Sequence, residues 1–247
     1  MKLLLATASA ALISTAAAAQ WNGPYIGANI GYGWGESNSD VALGGAWASE
    51  PAGLQSGLID LWSTTQKPDG LVYGGQAGYN LNFSGFVLGA EVDYSKLDIN
   101  ESRLLPLTAT SFGPLPTYGP GNSIDANHLL ALKAKLGVAT GSWLFYATGG
   151  WAMVNSEGTA EVTSSGGYSK FGSDKGWRSG VVYGGGVEVK VSSNWSARVE
   201  YLRGDFSDFE YATDYRPGSA FTSPVYSEAI TQDLDLNLVR AAINFHF

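Results

Sequence analysis

The sequence predicts an all-β fold, an eight-stranded antiparallel transmembrane β-barrel with four long extracellular loops and short periplasmic turns. Three observations carry that reading. Residues 1–19 have the layout of an export leader. Beyond them, apolar side chains alternate at period two with polar residues or glycine, segment after segment. The last such run, Val239–Phe247, closes on an aromatic residue, and the links between runs alternate between short and long.

Two regions follow, a leader over 1–19 and a barrel domain over 20–247. Lys2 is the charged start, Leu3 to Ile13 the apolar stretch, and Ala17-Ala18-Ala19 a small-residue cleavage site before Gln20. A helical span needs about 20 apolar residues, and no segment of the chain approaches that length. The formal charge is −8; loss of Lys2 leaves 13 basic against 22 acidic side chains, or −9. Nucleic acid and anionic lipid are therefore poor main partners, since both require clustered Lys and Arg. With no cysteine, disulfides, Cys-based metal sites and a lipid-modified N-terminal Cys are all excluded.

The strands are read in order. Pro24–Gly35 sets Ile26, Ala28, Ile30, Tyr32 and Trp34 against Tyr25, Asn29 and glycines. Leu71–Asn82 sets Tyr73, Ala77, Tyr79 and Leu81 against Gly74, Gln76 and Asn80. Phe86–Ser95 sets Leu88, Ala90, Val92 and Tyr94 against Glu91, Asp93 and Ser95. His128–Thr140 sets Leu130, Leu132, Leu136 and Val138 against Lys133 and Lys135. Trp143–Asn155 is apolar on both sides; Phe145, Ala147, Trp151 and Met153 are taken outward, Tyr146 and Thr148 inward. Val181–Val191 sets Val181, Tyr183, Val187 and Val189 against Glu188 and Lys190. Trp195–Gly204 sets Trp195, Ala197, Val199 and Tyr201 against Ser196, Arg198 and Glu200. In Val239–Phe247, Val239, Ala241, Ile243, Phe245 and Phe247 oppose Arg240, Asn244 and His246. Upstream of Val239 the phase slips at Leu234, Leu236 and Leu238, from a bulge or from exit out of the membrane near Asn237.

Tight turns are expected at Asn82–Gly85, Thr140–Ser142 and Ser192–Asn194. The other links are long: Glu36–Gly70, Leu97–Asn127, Asn155–Gly176 and Phe206–Asp233. Such an asymmetry fits periplasmic turns and extracellular loops.

Energy decides which face meets lipid. Arg or Lys at the bilayer midplane costs roughly 2–4 kcal/mol each. Glu91, Asp93, Lys133, Lys135, Glu188, Lys190, Arg198, Glu200 and Arg240 are therefore placed in the barrel interior as one polar network. An eight-stranded barrel is filled by its own side chains, so a wide pore is not expected. Trp21, Tyr25, Phe83, Phe86, Trp143, Trp195, Phe245 and Phe247 are assigned to an aromatic girdle on the short-turn side. Trp34, Tyr94, Trp151 and Trp177 are assigned to one on the long-loop side.

The opening Trp21–Gly35, Tyr146–Gly150, Gly184–Glu188, Asn194–Tyr201 and the closing Val239–Phe247 resemble the porin-like major surface antigens of alpha-proteobacteria. That family is related in fold to opacity proteins and the OmpA membrane domain. The likeness covers the strands and not the loops. It implies a non-enzymatic outer-membrane barrel with a structural or surface-interaction role, in contact with outer-membrane lipid and lipopolysaccharide. It implies that Phe247 belongs to the signal read by the barrel-assembly machinery, and that the loops meet host or surface ligands. Some members bind haemin. The chain departs from the family's pattern in having almost no extension before the first strand. It also ends at the barrel, with no peptidoglycan-binding domain.

Other chemistry is weakly marked. His128 lies three residues after Asp125, an arrangement expected to be a polar pair at a strand end rather than a catalytic dyad. His246 is placed at the barrel floor. Asp205, Asp208, Glu210 and Asp214 lack the regular spacing of a calcium loop. The runs Gly31–Gly35 and Gly184–Gly186 open no helix and so cradle no phosphate. Asn82, Asn100 and Asn194 match glycosylation sequons by chance. Tyr118, Tyr168, Tyr211, Tyr215 and Tyr226 fall in the long links, where tyrosine can stack on or ligate haem or build a protein-binding patch. No cofactor and no metal is expected. A narrow porin-like channel and a haem-binding surface receptor stand as alternatives to the structural role, and a soluble β-sandwich as the competing fold.

Overall fold

Residues 21–247 are described by a computed structural model; the leader read from residues 1–19 lies outside them. Eight long strands dominate: β1 Gly23–Gly45, β2 Asp69–Phe83, β3 Phe86–Leu104, β4 Gly113–Thr140, β5 Trp143–Ser164, β6 Ser169–Lys190, β7 Trp195–Ala212 and β8 Tyr226–His246. Each pairs antiparallel with the next, and β8 returns to β1, from Tyr25 opposite His246 to Gly45 opposite Tyr226. The ring is closed, which removes the open edges that a sheet otherwise exposes. Short strands at Thr64–Gln66, Thr108–Thr110 and Asp214–Tyr215 add to β1, β4 and β6.

Turn chemistry fixes the register at the short-turn end. Phe83 pairs with Phe86 across Ser84 and Gly85, whose φ values of 54° and 97° belong to the mirror-image turns that match strand twist. Thr140 pairs with Trp143 across Gly141, at φ 56°. The third turn, between Lys190 and Trp195, is tied to β8 where the Asn194 amide donates to the His246 carbonyl at 2.9 Å.

At the other end the strands outlast the membrane. At about 3.4 Å per residue, strands of 21 to 23 residues run roughly 70–80 Å. A tilted crossing takes only about ten residues. The segments read as long links are therefore largely strand. β1 continues to Gly45 and β3 to Leu104, while β5 and β6 meet across a turn at Ser165–Tyr168. Once two strands are paired, each further residue extends the ladder without a new loop to close.

The first link behaves differently. It makes a 3₁₀ turn, Ala46–Ser49, and then the helix α1, Ala52–Trp62. Leu54, Leu58 and Trp62 line one stripe of α1 and are buried in the mouth of the barrel. Sequence reasoning missed this helix, because Gly53, Ser56 and Gly57 dilute its pattern. The i, i+4, i+8 spacing of Leu54, Leu58 and Trp62 was the available signal.

Two inversions organise the wall. Within the membrane span the outward face is apolar, with Ile30, Leu132, Val199 and Ile243 each more than half exposed, while charge lies inside. Above it the lumen turns apolar, filled by Leu97, Ile99, Ile124, Val154, Leu202 and their neighbours under α1. That second inversion accounts for Leu234, Leu236 and Leu238. They share the inward parity of Arg240 and are buried, so the strand does not change face; the lumen changes character. The register irregularity of β8 lies higher, between Gln232 and Leu234. In β5, Phe145 and Trp151 point outward and Tyr146 and Thr148 inward.

The girdle assignment needs one correction. Trp21 and Tyr25 are not at the lipid surface. Both are buried in the lumen, Trp21 with Val87, Ala139, Leu144 and Tyr146 as an apolar floor. Tyr25 has the inward parity of Gly27 and Asn29, and the glycines around it leave room for its ring.

Candidate functional site

The membrane-level lumen holds four carboxylates (Glu91, Asp93, Glu188, Glu200) and four cations (Lys133, Lys135, Arg198, Arg240), all fully buried. Strand register sets the first pairs: Glu91 lies opposite Lys133, Glu188 opposite Arg198, and Glu200 opposite Arg240. The ion pairs then cross the barrel. Lys133 Nζ sits 2.8 Å from Glu91, 3.1 Å from Glu200 and 3.6 Å from Asp93. Arg240 Nη2 reaches Asp93 at 2.7 Å and Glu200 at 2.5 Å, while its Nη1 donates to Ser95 Oγ at 3.2 Å. Arg198 Nη1 lies 2.5 Å from Glu91. Lys135 lies 3.7 Å from Glu91 and 3.8 Å from Glu188, donates to the Tyr25 hydroxyl at 3.0 Å, and sits 4.9 and 4.5 Å from the Tyr25 and Tyr146 ring centroids.

Neutral groups add further hydrogen bonds to these carboxylates, although Glu188 Oε2 has no hydrogen-bond partner among the described residues. Tyr25 donates to Glu91 at 2.7 Å and Tyr146 to Glu200 at 2.9 Å. Glu188 accepts from the Asn244 amide at 2.8 Å and from the Ser196 hydroxyl. His246, at the floor, lies 2.9 Å from Ser196 Oγ and 3.4 Å from Glu188. Beside this cluster Asn29 donates to Gln76, which donates on to Asn244. That chain passes over Gly27, where a Cβ would collide with both the Asn244 and Gln76 side chains. Lys190 stands apart, with its ammonium 5.1 Å from the Trp21 ring.

Glu91, Asp93 and Glu200 bring ligand oxygens within 4.8 Å of one another, the spacing of a metal site. Lys133 and Arg240 already lie among them. The donor set therefore meets fixed cations, and the layer is charge-balanced with no ion added.

A second cluster forms at the outer end. Trp47, on the 3₁₀ turn, contacts Tyr226 at 4.8 Å, Tyr168 at 5.9 Å and Tyr118 at 6.3 Å between ring centroids. Glu228 lies beneath them and accepts from Trp47 Nε1 at 2.6 Å, from Thr213 at 2.5 Å and from the Tyr168 hydroxyl; Lys170 pairs with it at 2.7 Å. Burial and this bond to Glu228 raise Tyr168 well above the usual phenol range. Tyr226 donates to Glu50 at 2.6 Å, and chiefly through that bond its hydroxyl is pushed up to about 12.

The sequence matches the model of the outer membrane protein β-barrel domain family across residues 3–236. The chain belongs to that family. It is an outer-membrane barrel protein, as the apolar belt around a charged lumen requires. Among curated relatives, the 31 kDa outer-membrane immunogenic protein of Brucella melitensis is 25% identical over 229 residues, covering 92% of this chain and 84% of the relative. A protein of the same description from Brucella suis matches equally. Among solved structures, OprG of Pseudomonas aeruginosa is 13% identical, covering 92% of this chain and 97% of its own, with a TM-score of 0.44. The outer membrane protease OmpT of Escherichia coli is 10% identical, covering 90% and 97%, with a TM-score of 0.47.

The remaining sequence candidates do not converge. His128 meets Tyr94, whose hydroxyl lies 3.0 Å from Nδ1, and stacks on its ring. Asp125 instead neighbours Glu157 and Lys175. Asp205 pairs with Arg203 at 2.9 Å, and Asp208 and Glu210 are exposed on β7. Tyr118, Tyr168, Tyr215 and Tyr226 do gather near Trp47, whereas Tyr211 lies apart and bonds Gln232 at 3.1 Å. Sequence reasoning missed Trp47, Glu50, Lys170 and Glu228, which local spacing does not connect.

Proposed function

We propose that this protein is a closed, non-enzymatic outer-membrane barrel with a structural and surface-interaction role. The observation that carries the reading is the filled lumen. An apolar floor, a balanced layer of eight ionised side chains and an apolar upper section under α1 follow one another along the axis. We infer from such a stack that the lumen offers water and ions no continuous path. Eight of the nine lumen charges from Glu91 to Arg240 then act as a polar core, each retained because an opposite charge is fixed beside it, while Lys190 lies against the Trp21 ring.

Catalysis finds little support in His128 and Asp125, whose contacts lead to other groups. The haem alternative is likewise disfavoured. The hydroxyls of Tyr168, Tyr215 and Tyr226 are engaged by Glu228, backbone carbonyls and Glu50. The cavity among the rings is about 180 Å³, below the roughly 300–1,000 Å³ of pockets for drug-sized ligands.

The same proposal includes a leader over residues 1–19, cleaved before Gln20, and recognition of Phe247 by the assembly machinery. Lipid and lipopolysaccharide contact the belt, and the strand walls above it carry the surface contacts. Single-channel recording of the refolded protein in planar bilayers tests the central point. A quiet membrane is expected, and steady conductance altered by substitutions at Lys133 or Arg240 would overturn the closed-lumen reading. Mass measurement of the protein from outer membranes, with an N-terminus other than Gln20, would overturn the leader assignment.

A further inference from the structure

The cavity at the outer end is walled by Trp47, Tyr118, Tyr168, Tyr226 and Phe221, with Glu50 at its side. Trp47, Tyr118 and Tyr168 are held nearly fully buried, so their ring positions are set before any ligand arrives. Phe221 completes the wall from a left-handed backbone, φ 60°, an uncommon state for a bulky residue. The Tyr215 hydroxyl fixes it by donating to the Phe221 carbonyl at 3.2 Å. Residues kept in such sparsely populated regions cluster at active sites, ligand clamps and switch regions.

The two carboxylates of this cluster differ. Glu228 is fully committed, paired with Lys170 and accepting from Trp47, Tyr168 and Thr213. Glu50 lines the cavity and accepts from the Tyr226 hydroxyl, but has no cationic partner among the described residues. The neighbouring ammonium of Lys170 already sits over the Tyr215 ring at 4.6 Å, so this cluster already stabilises one cation on an aromatic face. Electron-rich aromatic rings around a cavity of about 180 Å³, with one uncompensated carboxylate, are the features that attract a soft cation carrying an apolar shell.

We propose that the Trp47–Tyr118–Tyr168–Tyr226 cavity binds a small alkylated ammonium group, of the trimethylammonium type, with Glu50 as its counter-charge. The rings hold the methyl groups, and Glu50 selects charge over mere greasiness. The site goes beyond the closed-barrel reading and does not depend on it, since lumen closure is judged by conductance and this site by binding.

The test uses the refolded mature chain in octyl glucoside, a detergent free of quaternary ammonium. Calorimetry compares choline with 3,3-dimethyl-1-butanol, its neutral isostere. Saturable choline binding at least tenfold tighter than the alcohol is expected. Glu50→Gln should weaken it about five- to tenfold, and Trp47→Leu should weaken it further. Heat-modifiable gel mobility identifies folded variants, and Glu50→Gln retains the Tyr226 bond if Trp47→Leu fails to fold. Phosphocholine or trimethyl-lysine binding tighter than choline supports the same recognition and names lipid headgroup or methylated protein as the source. Equal binding of the isostere, no effect of Glu50→Gln, or no saturable choline binding would each overturn the proposal.

Discussion

The Asp93–Arg240 pair gives the sharpest energetic test of the lumen. Arg240 holds Asp93 at 2.7 and 2.9 Å, and the next cation to Asp93, Lys133, is 3.6 Å away. Arg240→Met leaves a buried carboxylate undercompensated and the layer at four negative to three positive charges. Breaking a buried pair by removing one partner costs about 3–5 kcal/mol, and Asp93→Asn should cost a similar amount from the opposite side. The double variant restores balance at three to three: Glu200 retains Lys133 and Tyr146, and Lys133 retains Glu91. Its cost should fall well below the sum of the singles, with a coupling of about 2 kcal/mol or more. The assay is reversible guanidinium unfolding in detergent micelles or vesicles, followed by tryptophan fluorescence and gel mobility. Single variants costing under about 1 kcal/mol, or singles that simply add, would refute the view that pairing holds charge in this lumen.

Other predictions follow from the same geometry. Gly27→Val should prevent formation of the heat-modifiable band, because its side chain enters the space of Asn244 and Gln76; a normal band would show that the lumen around Gly27 has room for a side chain. Leu58→Ala should cost about 2–4 kcal/mol and loosen α1 while the membrane ring survives; proteolysis between residues 46 and 62 would rise while gel mobility held. Tyr226, with its folded value near 12, favours the neutral phenol. The stability it adds is therefore complete below about pH 10 and is lost as pH rises towards 12. Ultraviolet titration, with Tyr226→Phe as the difference, should show Glu50→Gln drawing that ionisation back towards 10, and an unmoved ionisation would remove Glu50 as its cause.

How much was legible in the sequence depended on distance along the chain. Strict alternation with charge on one parity, as in Glu91-Val92-Asp93 or Leu132-Lys133-Ala134-Lys135, suffices for strand, face and membrane, because only one arrangement keeps Lys133 out of lipid. Partner choice was less accessible. That Arg240 bridges Asp93 and Glu200 depends on ring closure between β8 and β1 and on which side chains reach across the lumen. Leu234, Leu236 and Leu238 misled for a related reason. Period two reports a face, while the polarity suited to that face changes once the barrel leaves the membrane. Trp21 and Tyr25 show the same limit, since an aromatic at a strand end suits a girdle or a lumen plug equally well. The aromatic cavity was beyond local reading, since Trp47, Tyr118, Tyr168 and Tyr226 come from four separate stretches of chain.

The inside-out wall can be probed directly, because the chain has no cysteine of its own. Single cysteines at Leu132, Val199 and Ile243, and at Leu104 beyond the belt, would carry nitroxide labels in a lipid bilayer. Collision with dissolved oxygen and with a water-soluble nickel chelate would then be compared by electron paramagnetic resonance. The first three labels should meet oxygen and exclude the chelate, while the label at Leu104 should meet the chelate. Ready access of the chelate to Leu132 and Val199 would contradict a lipid-facing belt around a charged, closed core.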